Sequence, residues 1–163
     1  MRITKKRRRE GKTDYLSRLN LLKSKKTKVV IRRTNKYIIL QEVESKEAQD
    51  RVLVTTTSKE LLNFGLNKKF IGSLKSLPAA YLTGLLMAKK MKNKEAIVDL
   101  GLNKKHYGGR LFACVKGLID GGIRIDADEK IFPTEERLKG EHLKEEVKKE
   151  FEKIKSEIEK WKR

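Results

Sequence analysis

The chemistry open to this chain is set by positive charge near its start. Residues 1–36 contain Arg2, Lys5, Lys6, Arg7, Arg8, Arg9, Lys12, Arg18, Lys23, Lys25, Lys26, Lys28, Arg32, Arg33 and Lys36, opposed only by Glu10 and Asp14. That is a local net charge of +13, out of +19 for the 163-residue chain. Such a block repels itself in free solution and does not fold alone. It needs an external polyanion, and the most closely spaced anions available are the phosphates of a nucleic acid. If roughly six to ten of these cations touch phosphates, affinity falls by about 10³–10⁵ between roughly 50 and 200 mM salt. That attraction binds without choosing a sequence, so discrimination must come from a shaped surface. Three stretches offer one: Arg32, Arg33, Thr34, Asn35 and Lys36; Asn67, Lys68 and Lys69; and Asn103, Lys104, Lys105, His106 and Tyr107, running on to Arg110. Each mixes cations with amide or aromatic groups, which suits the phosphates, 2′-hydroxyls and unstacked bases of folded RNA. Thr13 and Tyr15 extend the basic arm. Tyr15 and Tyr107 can stack on bases, and a core position fits Tyr15 equally well. Gly108-Gly109 precedes a helix and can offer free N–H groups to a phosphate; a tight turn accounts for the pair just as well.

Other chemistries lack their residues. There is no Walker loop and no GxGxxG. With Cys114 the single cysteine, and His106 and His142 far apart, no zinc set forms. Asp126 and Asp128 are not followed by calcium-loop spacing. No Ser/His/Asp or Cys/His set has a context, so no enzyme, metal or cofactor is expected, and His106 is read as a polar loop residue. A lone cysteine excludes an internal disulfide; in an apolar run it behaves as a small buried hydrophobe, and an intracellular compartment follows. No apolar run approaches the ~18–20 residues of a spanning helix. No apolar signal core follows the basic start, and there is no lipidation motif, so neither secretion nor a membrane is expected.

The elements that must position these groups follow from periodicity. Residues 1–12 read as an extended arm. Thr13 or Asp14 caps a short helix whose Tyr15, Leu16, Leu19 and Leu22 lie on the domain, with Arg18 and Lys23 outward. Lys25-Lys26-Thr27 ends it. Val29-Val30-Ile31, Tyr37 to Leu40 and Arg51 to Thr57 read as three strands of an antiparallel meander, joined by turns at Thr34-Asn35-Lys36 and at Ser45–Asp50. The lack of strict alternation implies cover on both sheet faces. Ser58 caps a short helix through Phe64, ended by Gly65. Pro78 opens a helix running through Ala79–Met91, whose small residues Ala79, Ala80, Gly84 and Ala88 let it pack close to a sheet. Ala96 to Leu100 is a fourth strand, parallel to an earlier one because a helical crossover precedes it. Arg110 to Ile119 is a second buried helix, and residues 123–132 are irregular. From Thr134 Glu and Lys alternate, and Leu143, Val147, Phe151, Ile154, Ile158 and Trp161 make one apolar stripe on a long helix, helped by pairs such as Glu145 to Lys149. The stripe packs either on its own domain or on a neighbour. The fold class is therefore α/β: a mixed sheet flanked by helices, with a basic N-terminal arm and a C-terminal helix. The organisation is an arm with its short helix (1–27), an α/β RNA-binding domain (28–126), and a linker with an amphipathic helix (127–163).

Several segments together resemble a known family. They are Arg7-Arg8-Arg9-Glu10-Gly11-Lys12-Thr13-Asp14-Tyr15, Arg32-Arg33-Thr34-Asn35, Ala79-Ala80-Tyr81-Leu82-Thr83-Gly84-Leu85-Leu86, Lys116-Gly117-Leu118-Ile119-Asp120-Gly121-Gly122, Phe132-Pro133 and Arg137-Leu138-Lys139-Gly140-Glu141-His142. In this order, over roughly residues 2–142, they resemble the large-subunit ribosomal proteins that bind 5S ribosomal RNA, numbered eighteen in archaea and bacteria and five in eukaryotes. The pattern looks like the archaeal branch. The resemblance implies a non-catalytic, ribosome-bound cytoplasmic protein. It implies that arm and sheet hold 5S RNA and help fasten it to large-subunit RNA at the central protuberance. Arg7 to Tyr15 and Arg32 to Asn35 match the family's RNA-facing segments. At Ile125-Asp126-Ala127 the chain departs from a common Ile-Pro-His stretch, and contacts made there are not carried over. Expected partners are 5S and large-subunit RNA and neighbouring ribosomal proteins, with the C-terminal helix a candidate surface for the latter; no homo-oligomer is expected. The competing reading is a general nucleic-acid binder, chromatin-type or RNA-chaperone, using the same arm.

Overall fold

The β-branched run after Lys28 and the run after Tyr37 pair as their composition predicts. In a computed structural model that describes residues 4–47, 49–67, 72, 74–143 and 145–161, β1 (Lys28–Arg33) is antiparallel to β2 (Ile38–Lys46), with Ile31 opposite Leu40. β2 is antiparallel to β3 (Gln49–Thr57), with a bulge at Glu42/Val43. β4 (Ile97–Asp99) lies parallel to β1, and the sheet order is β3-β2-β1-β4. The meander and the parallel fourth strand are both as the sequence reads. Directly paired residues share a face. Val29, Ile31, Ile38 and Leu40 are fully buried on one side, while Val30, Arg32, Ile39 and Gln41 on the other are half-buried.

Two central helices join the core with the buried face. α3 (Leu77–Lys90) starts where the Ser76 side chain accepts from the Ala79 amide, with Pro78 in the first turn. α4 (Arg110–Asp120) buries Leu111 to Val115. A Cβ on Gly84 would lie 2.2 Å from the Cys114 carbonyl oxygen, and one on Gly117 would lie 2.2 Å from that of Tyr81. Gly84 thus brings α3 against α4, where the two backbones touch and only glycine leaves room, while α3 also meets β2 and β3 of the sheet. Cys114 is fully buried in this contact, and burial pushes its thiol pKa up, as suits a small hydrophobe.

Three local expectations change, and one open choice is settled. The arm is not extended throughout: Lys6–Arg9 form one helical turn, α1. The 3₁₀ helix Ser58–Phe64 is capped by Thr57, whose amide donates to Glu60 Oε1 at 3.0 Å, while the Ser58 hydroxyl accepts from the Ile38 amide at 3.1 Å. Gly65 ends it with a φ of 87°. A short helix α5 (Glu135–Lys139), ended by Gly140 at φ 78°, precedes α6 (Glu145–Lys160). Finally, the stripe of α6 belongs to its own domain. Phe151, Ile154 and Ile158 are buried, the Phe151 ring lies 5.8 Å from that of Tyr81, and Trp161 meets Phe64 edge-on at 6.2 Å. Phe151, Ile154 and Ile158 are therefore part of this domain's core and not open to a neighbour.

Candidate nucleic-acid interface

β1 and the parallel β4 run opposite to α3 and α4, so the domain has two ends. β1 leads from Lys28, next to the arm, to Arg33. α3 and α4 begin at the Arg33 end and finish at the arm end. By helix geometry the 14 residues of α3 put about 21 Å between the two.

At the arm end, α1 buries no side chain. The Arg7 Nε donates to Thr13 Oγ1 at 2.9 Å, Lys12 pairs with Glu10 at 2.9 Å, and the Lys5 ammonium stands 4.6 Å over the Tyr15 ring. Tyr15 is half-buried beneath that cation and stands outside the core. Lys6, Arg8, Arg9 and Lys25 have no ion pair among the described residues. The Asp14 carboxylate accepts from Ser17 and from the Leu16 amide, which holds its pKa below the ordinary value and starts α2 (Tyr15–Lys23). Asp14, not Thr13, is thus the cap. A left-handed Lys25, φ 55°, turns the chain out of α2.

α2 is turned over relative to its expected orientation. Leu16 and Leu19 face solvent, at 69% and 48% exposure, while Arg18 points inward to Asp50 at 2.9 Å. Asp50 also takes the Lys28 ammonium at 3.2 Å and the Ser45 hydroxyl. The apolar pattern gave the wrong face because the Asp50 carboxylate at the start of β3, not a hydrophobic seat, is what α2 docks on. Lys28, only 4% exposed, is likewise withdrawn from any surface role. Partial burial raises the Asp50 pKa, but the hydrogen bonds from Ser45, Lys28 and Arg18 outweigh that and leave it below its ordinary value. A carboxyl whose folded pKa is depressed contributes stability that is present above its unfolded value and is lost as pH falls through the folded one. Asp50→Asn is therefore expected to lower the melting temperature at neutral pH, and the gap from the parent should close as pH falls below about 4. Thermal melts at stepped pH check this; a gap that persists in acid would mean that Asp50 acts through shape, not charge.

At the other end, the tip between β1 and β2 is held by Thr34. Its Oγ1 donates to the Tyr37 carbonyl at 2.7 Å and accepts from the Tyr37 amide at 3.0 Å. The turn leaves Arg33, Asn35 and Lys36 exposed. Arg32 is different: it donates to the Ile31 and Asp99 carbonyls at 3.0 Å and pairs with Asp99 at 3.1 Å, so it clamps β4 to β1. The loop from Asn103 converges on the same end. Lys104 and Lys105 are exposed and Tyr107 is 76% exposed, its ring 6.1 Å from Phe112. Gly109 starts α4 without a side-chain cap, and a Cβ there would meet the His106 carbonyl oxygen at 2.7 Å, so the tight turn is real. Arg2, Lys68 and Lys69 lie outside the described residues.

The structure also gathers residues that the sequence reading did not single out. Lys94 and Arg124 join Lys25 and Lys26 around a cleft at the arm end, Lys26 itself pairing with Glu95. Lys94 lies just past α3 and Arg124 just past α4, and the Arg124 amide donates to the Lys94 carbonyl at 2.7 Å. No local pattern signals such a junction. Among the described residues no helix is long and apolar enough to cross a membrane, and no cluster of His, Cys, Asp and Glu fits a metal ion.

The sequence of this chain has counterparts among known proteins. The profile of the family described as ribosomal large subunit proteins 60S L5 and 50S L18 matches residues 1–96. The chain belongs to this family. Its similarity to curated members extends further. It is 48% identical over 141 residues to the large ribosomal subunit protein uL18 of Korarchaeum cryptofilum, covering 85% of this chain and 70% of that protein. To the protein of the same name from Methanoregula boonei it is 46% identical over 141 residues, covering 85% and 79%. To that of Picrophilus torridus it is 45% identical over 159 residues, covering 94% of both. These relatives place it in the archaeal branch of a family of structural ribosomal proteins, not of enzymes.

Proposed function

We propose that this large-subunit ribosomal protein binds 5S ribosomal RNA and helps attach it to the large-subunit RNA at the central protuberance. The observation that carries this is the arm: a helical turn of consecutive cations that buries nothing and has almost no internal acid to neutralise it. The RNA-contacting set is Lys5, Lys6, Arg7, Arg8, Arg9, Lys12, Thr13, Tyr15, Lys25 and Lys26 at the arm end, and Arg33, Asn35, Lys36, Lys104, Lys105, Tyr107 and Arg110 at the other. Thr34 and Arg32 hold the second group in place. Cations at both ends suit a protein that joins two RNA segments. It works bound to the cytoplasmic ribosome, and its protein neighbours meet surfaces other than the apolar stripe of α6.

Competition tests this. Labelled 5S RNA bound to the full chain at moderate salt should be displaced by unlabelled 5S RNA at far lower concentration than by random duplex DNA. Equal displacement would make the chain a general nucleic-acid binder, since phosphate attraction alone carries no choice.

A further inference from the structure

At the end remote from the arm lies a cleft of about 490 Å³ whose lining includes Arg33, Lys104, Arg110, Arg137, His106 and His142. No Asp or Glu lines it, and none of its four cations has an ion pair among the described residues. By contrast, Lys28 and Arg18 are matched by Asp50, and Arg32 is matched by Asp99. Here three separate segments, the β1–β2 tip, the loop before α4 and the segment from α5 to α6, each deliver cations to one concavity. Four unmatched like charges held that close raise the energy of the empty protein unless an anion enters.

We infer that this cleft seats one unstacked nucleotide of a single-stranded RNA segment, with its phosphate among the arginines. The inference rests on the RNA-binding reading above and adds a specific second seat to it. The volume is that of a small-molecule site and far exceeds what one bare phosphate fills. Arginine forks match phosphate oxygens in pairs. The imidazoles of His106 and His142, with the Asn103 amide, supply planar and hydrogen-bonding surface for a base, which is how proteins read splayed-out RNA. Asn35, Lys36 and Lys105, adjacent in the chain to residues of this end, are exposed. An acidic peptide end would use the arginines and leave the rest of the cleft empty.

The test uses the full chain and adenosine 5′-monophosphate as probe. Titration into isotope-labelled protein should shift the amide signals of Gly109, Arg110 and Leu111 and the ring signals of both histidines, saturating in the millimolar range. The double variant Arg110→Gln/Arg137→Gln should lose that response at least tenfold. With 5S RNA the same variant should lower the log–log salt slope by about 2, one per phosphate-facing cation. Absence of shifts, or an equal response to a short peptide with a free C-terminal carboxylate, would overturn the nucleotide seat. So would an unchanged slope in a variant that still binds 5S RNA. Failure of the parent chain to bind 5S RNA would instead remove the wider reading, and the nucleotide titration would then decide the cleft on its own.

Discussion

The variant R7A/R8A/R9A is expected to bind 5S RNA about 10²–10³-fold more weakly than the parent at roughly 0.1 M salt, with the log–log salt slope reduced by about 2 to 3. The size follows from counterion release: each cation that leaves a phosphate returns close to one counterion, and at a tenth molar each is worth nearly a factor of ten. The structure says these three are available. Arg8 and Arg9 have no acid partner among the described residues, and Arg7 gives one hydrogen bond to Thr13, which leaves its terminal nitrogens free. α1 buries no residue, so the folded domain should melt at the parent temperature. Filter binding across a salt series, with a melt on the same preparation, separates the two effects. A slope equal to the parent's would mean that the arm does not touch phosphate.

What the sequence revealed and what it hid divide along a physical line. Local rules were enough for the meander, for Pro78 and Gly65 at helix boundaries, and for the parallel β4, because each depends on a few adjacent residues and a short connection. Ion-pair geometry was not legible. Arg18, Lys28 and Arg32 look like surface cations in a basic stretch, yet each closes a contact with an acid 22 to 67 residues away in the case of Lys28 and Arg32, and Arg18 turns α2 over to reach Asp50. A periodic apolar pattern predicts which side of a helix prefers cover, but one carboxylate with two cationic partners can decide the orientation instead. The second cationic end was visible only in pieces. The sequence puts Arg33 at a hairpin tip, Lys104 in a loop, Arg110 at a helix start and Arg137 and His142 in a segment matched to the family, and nothing in their spacing says that these places meet.

Removal of residues 143–163 is expected to unfold the protein. The striped helix had two readings, a partner surface or a piece of the core, and its contacts choose the second. Phe151 is 5% exposed, Ile154 1% and Ile158 0%, and they join the same core as Leu85, Leu86 and Leu118. Truncating a buried isoleucine to alanine costs about 2–5 kcal/mol and a buried phenylalanine about 3–5 kcal/mol. Three such losses together match or exceed the roughly 5–15 kcal/mol that keeps a domain folded. The truncation also bares Tyr81, whose ring packs on Phe151 and whose hydroxyl donates to Asp120 at 2.9 Å, and Phe64, which loses Trp161. Those residues hold α3 to α4 and to the 3₁₀ helix, so the damage reaches the frame that sets the spacing of the two cationic ends. Ile154→Ala is the graded version: still folded, with a urea midpoint lowered in proportion to about 2–5 kcal/mol. The parent, this variant and the truncation should therefore form a series in which 5S RNA affinity is kept as long as the domain is folded and disappears with it. A truncated chain that unfolds at the parent's urea midpoint would return the helix to the role of a partner surface.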